Sequence, residues 1–177
     1  MPKSSDDARP VTEGISGASI RLAQSTDAQL LQGFTCATSP DEPGYEVQEQ
    51  IQHEILTWST QQPAEDRRLL LLVDDVKGEL LGVGAHKKSE FYEEDPQRPG
   101  RSIYLIAIAS SHHGRVLEDV RCSDALLREL VDDILLRDGD VPITAIIHRT
   151  NVSSQKLFSR NNFFNAAPWP GSCIIVW

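Results

Sequence analysis

The feature that most constrains this chain is the run RSIYLIAIAS at 101–110, followed by a helix-period segment and a second apolar run, PITAIIH, at 142–148. The first run is apolar almost without interruption, as in a central strand covered on both faces. Between the two, Leu126, Leu127, Leu130, Val131, Ile134 and Leu135 form one apolar face of a helix that starts at Ser123 and Asp124. DGDVP ends that helix. Strand, helix, strand in this order predicts two adjacent parallel strands with the 124–136 helix crossing between them.

The rest of the chain alternates in the same way. ASIRLA at 18–23 has strand periodicity, and Ser25 reads as the N-cap of a short helix carrying Leu30, Leu31 and Phe34. Val47, Ile51, Ile55 and Trp58 recur every three or four residues, giving a second helix that ends before Pro63. The leucine-rich run from Arg67 and the run from Gly78 predict a hairpin turning at 74–77. FYEEDPQRPG is a polar loop, 151–161 a short helix, and FFNAAPWPGSCIIVW a turn and last strand. The expected fold is α/β, a mixed and mostly antiparallel sheet flanked by helices. One domain spans 18–177 behind a flexible N-terminal tail at 1–17, and 177 residues suit a single core.

Composition narrows the function. No stretch of about 18 uninterrupted apolar residues exists, and MPKSSDDARPVTEGISG has no apolar region of a secretory signal. Cys36, Cys122 and Cys173 are odd in number and widely spaced, neither a disulfide framework nor a zinc motif. A reducing, cytoplasmic setting is expected, with no metal and no membrane partner. A net charge of -9 and a pI near 5.0 disfavour nucleic acid, which requires clustered Lys and Arg, and are compatible with a cationic amine. There is no GxSxG, no P-loop and no GxGxxG after a strand, so hydrolase, nucleotidase and dehydrogenase readings lose their usual support.

The most specific stretch is ITAIIHRTNVSSQKLFSRNNFF. Asn151, Ser154, Leu157, Phe158, Asn162 and Phe163 follow a strand in register with a pattern of Asn, a small residue, Leu-Tyr and Gly-Phe. This resembles the GNAT superfamily of acetyl-CoA-dependent N-acetyltransferases. YLIAIASSHHGRVLEDVRCSDALLRELVDDIL is similar to that family's pyrophosphate-binding element, a strand, a loop and a helix N-terminus aimed at phosphate. The resemblance implies acetyl-CoA as cosubstrate and splayed strands whose backbone at Ile106 and Ile108 meets the pantetheine arm and thioester. It implies further that Asn151, Ser154 and Phe158 lie near CoA, with Gly114, Arg115, Arg121 and Ser123 by its phosphates. The acceptor would be a primary amine of a small molecule or protein, entering beside the first helices and the Phe91 loop.

Two departures bear on the chemistry. Phe158 stands where the family has the Tyr that protonates the leaving thiolate, which leaves water, Tyr104 or Ser159 as substitute acids, or a step that needs none. In the loop only Gly114 remains of the expected glycines, and the loop is about five residues longer on an alignment of Leu126 and Leu127. Asn162 in place of Gly is mild, because Asn tolerates the left-handed conformation. Plainer readings stand beside these. Asn151 can be a helix cap alone, Ser154 a small packing residue, and Arg115 and Arg121 solvated; 118–121 can add a helical turn. His86 and His148 near strand ends are candidate bases, His53 faces solvent or the groove, and His112 and His113 form a polar loop pair. Glu90, Glu93 and Glu94 read as a solvated acidic loop. A non-catalytic binding module and a toxin-like acetyltransferase acting on tRNA are the other functional readings, the latter disfavoured by charge. The apolar end at 173–177 is expected either in the core or across a homodimer edge.

Overall fold

A computed structural model describes residues 17–42, 44–60, 67–89, 100–169 and 172–176. Among them β1 (Ala18–Leu22), β2 (Arg67–Asp74), β3 (Leu80–Lys88), β4 (Arg101–Ile108), β7 (Ile143–His148), β8 (Phe164–Trp169) and β9 (Ser172–Val176) form one sheet, ordered β1-β2-β3-β4-β7-β9-β8. β5 (Val116–Leu117) and β6 (Val120–Arg121) make a separate small hairpin. β4 and β7 are parallel, and every other neighbouring pair is antiparallel. This is the mixed sheet expected from the strand–helix–strand order, with α4 (Cys122–Asp138) joining β4 to β7 by way of the hairpin.

The leucine run of β2 sorts its side chains by strand alternation. Leu69 and Leu71 join one apolar cluster and Leu70 and Leu72 the other. The first cluster is completed by Leu31 of α1 (Ala28–Gln32) and by Ile51, Ile55 and Trp58. The second takes Leu126, Leu127, Leu130 and Ile134 of α4 and Leu157 and Phe158 of α5 (Val152–Arg160). A sheet covered on both faces explains why β2 and β4 read as near-continuous apolar runs. Gly82 and Gly84 of β3 let α4 approach, since a Cβ on Gly84 would lie 2.9 Å from Leu130 Cδ1.

Several boundaries differ from expectation. The second helix is α2 (Gly44–Gln50), a π turn at Ile51–Ile55 and α3 (Leu56–Thr60), a run that starts earlier than its apolar stripe. Ser25 opens a 3₁₀ turn instead of capping it. Gln24 holds the cap, and its N–H donates to Asp27 at 2.7 Å. The guanidinium of Arg21, 2.6 and 2.7 Å away, holds the Asp27 carboxyl below the usual range. The stretch 118–121 is no helical turn: Glu118 and Asp119, both at positive φ, form the two-residue turn between β5 and β6. The C-terminal segment is a hairpin of two strands. β8 at the sheet edge is masked in the sequence by Pro168, which an edge strand tolerates.

His86 cannot serve as a base for a substrate. It is fully buried under α4, with Nε2 2.8 Å from Asp133 Oδ2, and Arg68 binds the same carboxylate at 2.7 and 3.0 Å. Burial pushes the imidazole below its ordinary value, outweighing the raising influence of Asp133. Burial pushes Asp133 up, but the bonds from His86 and Arg68 prevail and hold it well below the carboxylate range.

Candidate active site

β4 and β7 pair for only three residues, Arg101↔Ile143, Ser102↔Thr144 and Ile103↔Ala145. The parting coincides with an irregularity on the other edge of β4. Ala85 of β3 pairs with Leu105 and His86 with Ile103, so Tyr104 is an extra residue in the ladder. A bulge bends its strand, and here β4 turns away from β7. The gap is a cavity of about 540 Å³ walled by Ile103 to Ile106 of β4, Ala145 to His148 of β7, and Asn151, Ser154 and Phe158 of α5. Its outer wall is Asp41, Glu42, Glu46, Val47 and Gln50, and among the described residues no Lys or Arg lines it. Glu42 is fixed by hydrogen bonds from the Thr38 hydroxyl and N–H, which hold its carboxyl below the ordinary range.

Of the residues expected near CoA, Ile106, Asn151, Ser154 and Phe158 all line this cavity, while Ile108 does not. Asn151 caps α5, its side-chain oxygen accepting the Ser154 N–H at 3.0 Å. Phe158 is buried and meets Phe163 edge to face, with centroids 4.9 Å apart. Asn162 adopts the left-handed conformation, φ 67°, that its place beyond α5 requires. Of the two hydroxyls expected as substitute acids, Tyr104 is on the cavity wall. Ser159, one residue and about 100° of helix beyond Phe158, is exposed and outside the lining. Tyr104 is stacked on Trp58 at 5.5 Å, carries Lys87 over its ring at 4.8 Å, and has its hydroxyl 3.4 Å from Glu54.

The expected phosphate-binding elements gather at the start of α4. Gly114 is exposed with φ 75°, and Arg121 occupies the N-cap position, exposed and without a side-chain cap. The first N–H of this 17-residue helix, that of Cys122, donates to the Arg115 carbonyl at 3.1 Å, and the cap side chain accepts none of those that follow, which leaves a helix start able to receive an anion. Arg115 is turned toward the β2–β3 turn, 3.4 Å from Asp74. Ser123 Oγ lies 3.2 Å from Arg160 of α5, which also grips Asp124 at 2.6 and 2.8 Å. Burial raises the Asp124 carboxyl, but Arg160 and Asn161 outweigh it and leave the group below its usual value. The His112 and His113 pair lies in and just after a 3₁₀ turn, with His113 Nε2 2.9 Å from the Ile108 carbonyl. His53 is exposed on the π turn. Phe91, Glu90, Glu93 and Glu94, the tail at 1–16 and Trp177 lie outside the described residues. Sequence reasoning missed the wall of Asp41, Glu42 and Glu46. Asp41 and Glu42 lie in the turn-rich TSPDEPG and Glu46 in the helix just after it, and neither segment gives a sign of facing a strand more than fifty residues away.

No known protein family and no curated protein matches the sequence. Solved structures do. A GNAT-family acetyltransferase from Desulfovibrio desulfuricans superposes with a TM-score of 0.66 at 19% identity, covering 90% of this chain and 96% of that one. The PaiA N-acetyltransferase of Thermoplasma acidophilum, solved with coenzyme A, gives 0.63 at 16% identity over 90% and 97%. AtaTR bound with acetyl-CoA gives 0.65 at 13% identity over 91% and 92%. The fold is that of the GNAT N-acetyltransferases, over about nine-tenths of this chain.

Proposed function

We propose that this protein is an acyltransferase that moves the acetyl group of acetyl-CoA onto a primary amine of a small molecule or protein. The observation that carries the reading is the parting of β4 from β7 after three pairs, at a bulge, around a cavity of about 540 Å³. Two strand edges that diverge leave backbone donors and acceptors for the amide-bearing pantetheine arm, with Ile106 and then Ile108 along its path. The uncapped start of α4, with Gly114, Arg121 and Ser123, faces the phosphates. A backbone N–H of β4 beside the thioester stabilises the oxyanion as the amine attacks. In the reaction the amine nitrogen bonds to the carbonyl carbon, the carbon–sulfur bond breaks, and the nitrogen loses a proton as the thiolate becomes a thiol. The carboxylates of Asp41, Glu42 and Glu46, with no Lys or Arg among the described lining residues, favour an acceptor that arrives as an ammonium ion and loses a proton to solvent before it attacks.

Phe158 and the hairpin in place of a glycine loop favour a second reading, a module that binds acyl-CoA without turning it over. Calorimetric titration with acetyl-CoA, paired with thiol release over a panel of primary amines, decides between them. Binding with amine-dependent thiol release is expected; binding without release selects the module, and absence of binding overturns both.

A further inference from the structure

The wall of the cavity carries an exposed imidazole at the end of β7, while the Tyr hydroxyl expected at position 158 is missing. His148 ends β7 three residues past the last β4–β7 pair and lies on the cavity wall with Ile106 and Phe158. Its ring is held from one side. Nδ1 is 2.7 Å from Thr150 Oγ1 and 3.3 Å from the Thr150 backbone nitrogen. A backbone N–H can only donate, so Nδ1 must offer its lone pair, and the ring proton is then on Nε2. Nε2 has no partner among the described residues. The local chain is also fixed: the His148 carbonyl accepts the Asn151 N–H at 2.9 Å, in the turn that leads into α5.

Resting on the acetyltransferase reading above, we infer that His148 is a catalytic hydrogen-bond donor: through Nε2–H it stabilises the thiolate leaving the tetrahedral intermediate. The geometry opposes the role usually given to a histidine at such a place. A base needs a free lone pair, and the only one on this ring is taken by Thr150. A donor supplies what position 158 lacks, since Phe158 has no hydroxyl and Tyr104 OH faces Glu54. The step balances without transfer of the imidazole proton. The carbon–sulfur bond breaks with its electron pair on sulfur, Nε2–H hydrogen-bonds the thiolate, and water protonates it after release. The proton of the attacking amine passes to solvent. Thr150 is a positioning residue that fixes the tautomer.

Three variants and one spectroscopic reading test this. His148→Ala is expected to lower kcat by about 10²-fold, the effect of removing one preorganised donor, with acetyl-CoA affinity unchanged. His148→Gln, whose amide donates but cannot act as a base, is expected to recover at least tenfold of that loss. Ring ¹⁵N shifts should show the Nε2–H tautomer in the wild type and a mixture in Thr150→Val. Equal activity of the Gln and Ala variants, an Ala variant with unchanged kcat, or an Nδ1–H tautomer each overturns the assignment while the acetyltransferase reading stands. A wild type that transfers no acetyl group overturns both.

Discussion

Replacing Gly84 by alanine puts one carbon between β3 and α4, against Leu126 and Leu130 of the helix. The new Cβ would be 2.9 Å from Leu130 Cδ1, 3.2 Å from Leu130 Cγ and 3.3 Å from Leu126 Cδ1. Carbon atoms pack at roughly 3.5–4.0 Å, so Leu130 must withdraw by at least about half an ångström. Two consecutive carbons of its side chain are too close, and Leu130 is fully buried, so a rotamer change finds no space. The helix has to lift. Overpacking of this kind costs about 1–3 kcal/mol, and the reduced freedom of the unfolded chain returns roughly 0.4–1 kcal/mol. The expected net loss is about 1–2 kcal/mol, or some 2–8 °C in Tm for a chain of this length. Urea unfolding followed by circular dichroism measures it. Gly33→Ala is the control: its Cβ meets nothing nearer than 3.5 Å, and it should change stability little. Leu130→Ala in the Gly84→Ala background should be less damaging than in the wild type by about 1 kcal/mol or more, because the methyl then fills space the leucine vacated. Full stability of Gly84→Ala, or strict additivity in this cycle, would refute the argument that the β3 glycines set the position of α4.

Two other perturbations follow from the buried groups. His86 has its folded-state value depressed below the ordinary 6.5, so between those values the unfolded chain binds a proton that the native state refuses. Stability should therefore fall as pH drops through 6.5, by at most about 1.4 kcal/mol per pH unit, until the folded-state value is reached. Urea midpoints from pH 7.5 to 5.0 in the wild type and in His86→Gln should converge toward acid; parallel curves would exclude His86 as the source. Phe158→Tyr should raise kcat at least tenfold in the His148→Ala background, where no other donor replaces the imidazole, and much less in the wild type. Equal gains in both backgrounds would show that the two side chains do not act at the same atom.

The βαβ order was legible because strand and helix periods are intrinsic to the run of side chains, and burial on both faces leaves an unmistakable apolar signature at β4. Asn151 and Asn162 were legible for local reasons, a cap and a left-handed residue, both decided within four residues of themselves. What was illegible depends on partners distant in sequence. His86 looks like an available imidazole until α4 brings Asp133 onto it from 47 residues away. Arg115 looks like a phosphate ligand until the sheet brings Asp74 beside it. The β5–β6 hairpin escaped notice because its turn consists of Glu118 and Asp119, with no glycine to signal positive φ.

The arginines bear on the proposed functional readings beyond what net charge tells. Arg21, Arg68, Arg101, Arg115 and Arg160 each face a carboxylate, Asp27, Asp133, Asp138, Asp74 and Asp124 respectively, at 2.6 to 3.4 Å. Guanidinium groups so held fix the architecture: Arg160 ties the end of α5 to the start of α4, and Arg68 and Arg101 tie the sheet to α4. They are poor ligands for a polyanion, which would have to displace a carboxylate at each contact and gains little counterion release from a neutralised pair. A tRNA acceptor requires a run of uncommitted cations beside the cavity, and the lining supplies Asp41, Glu42 and Glu46 instead. Acetyl-CoA asks for less. In the reading proposed above, its phosphates would take one helix start and Arg121, which none of these five pairs engages, while its uncharged pantetheine arm would take backbone groups. On the acetyltransferase reading proposed above, the charge pattern favours an acyl donor approaching from the side of α4 and a cationic acceptor from the side of α2.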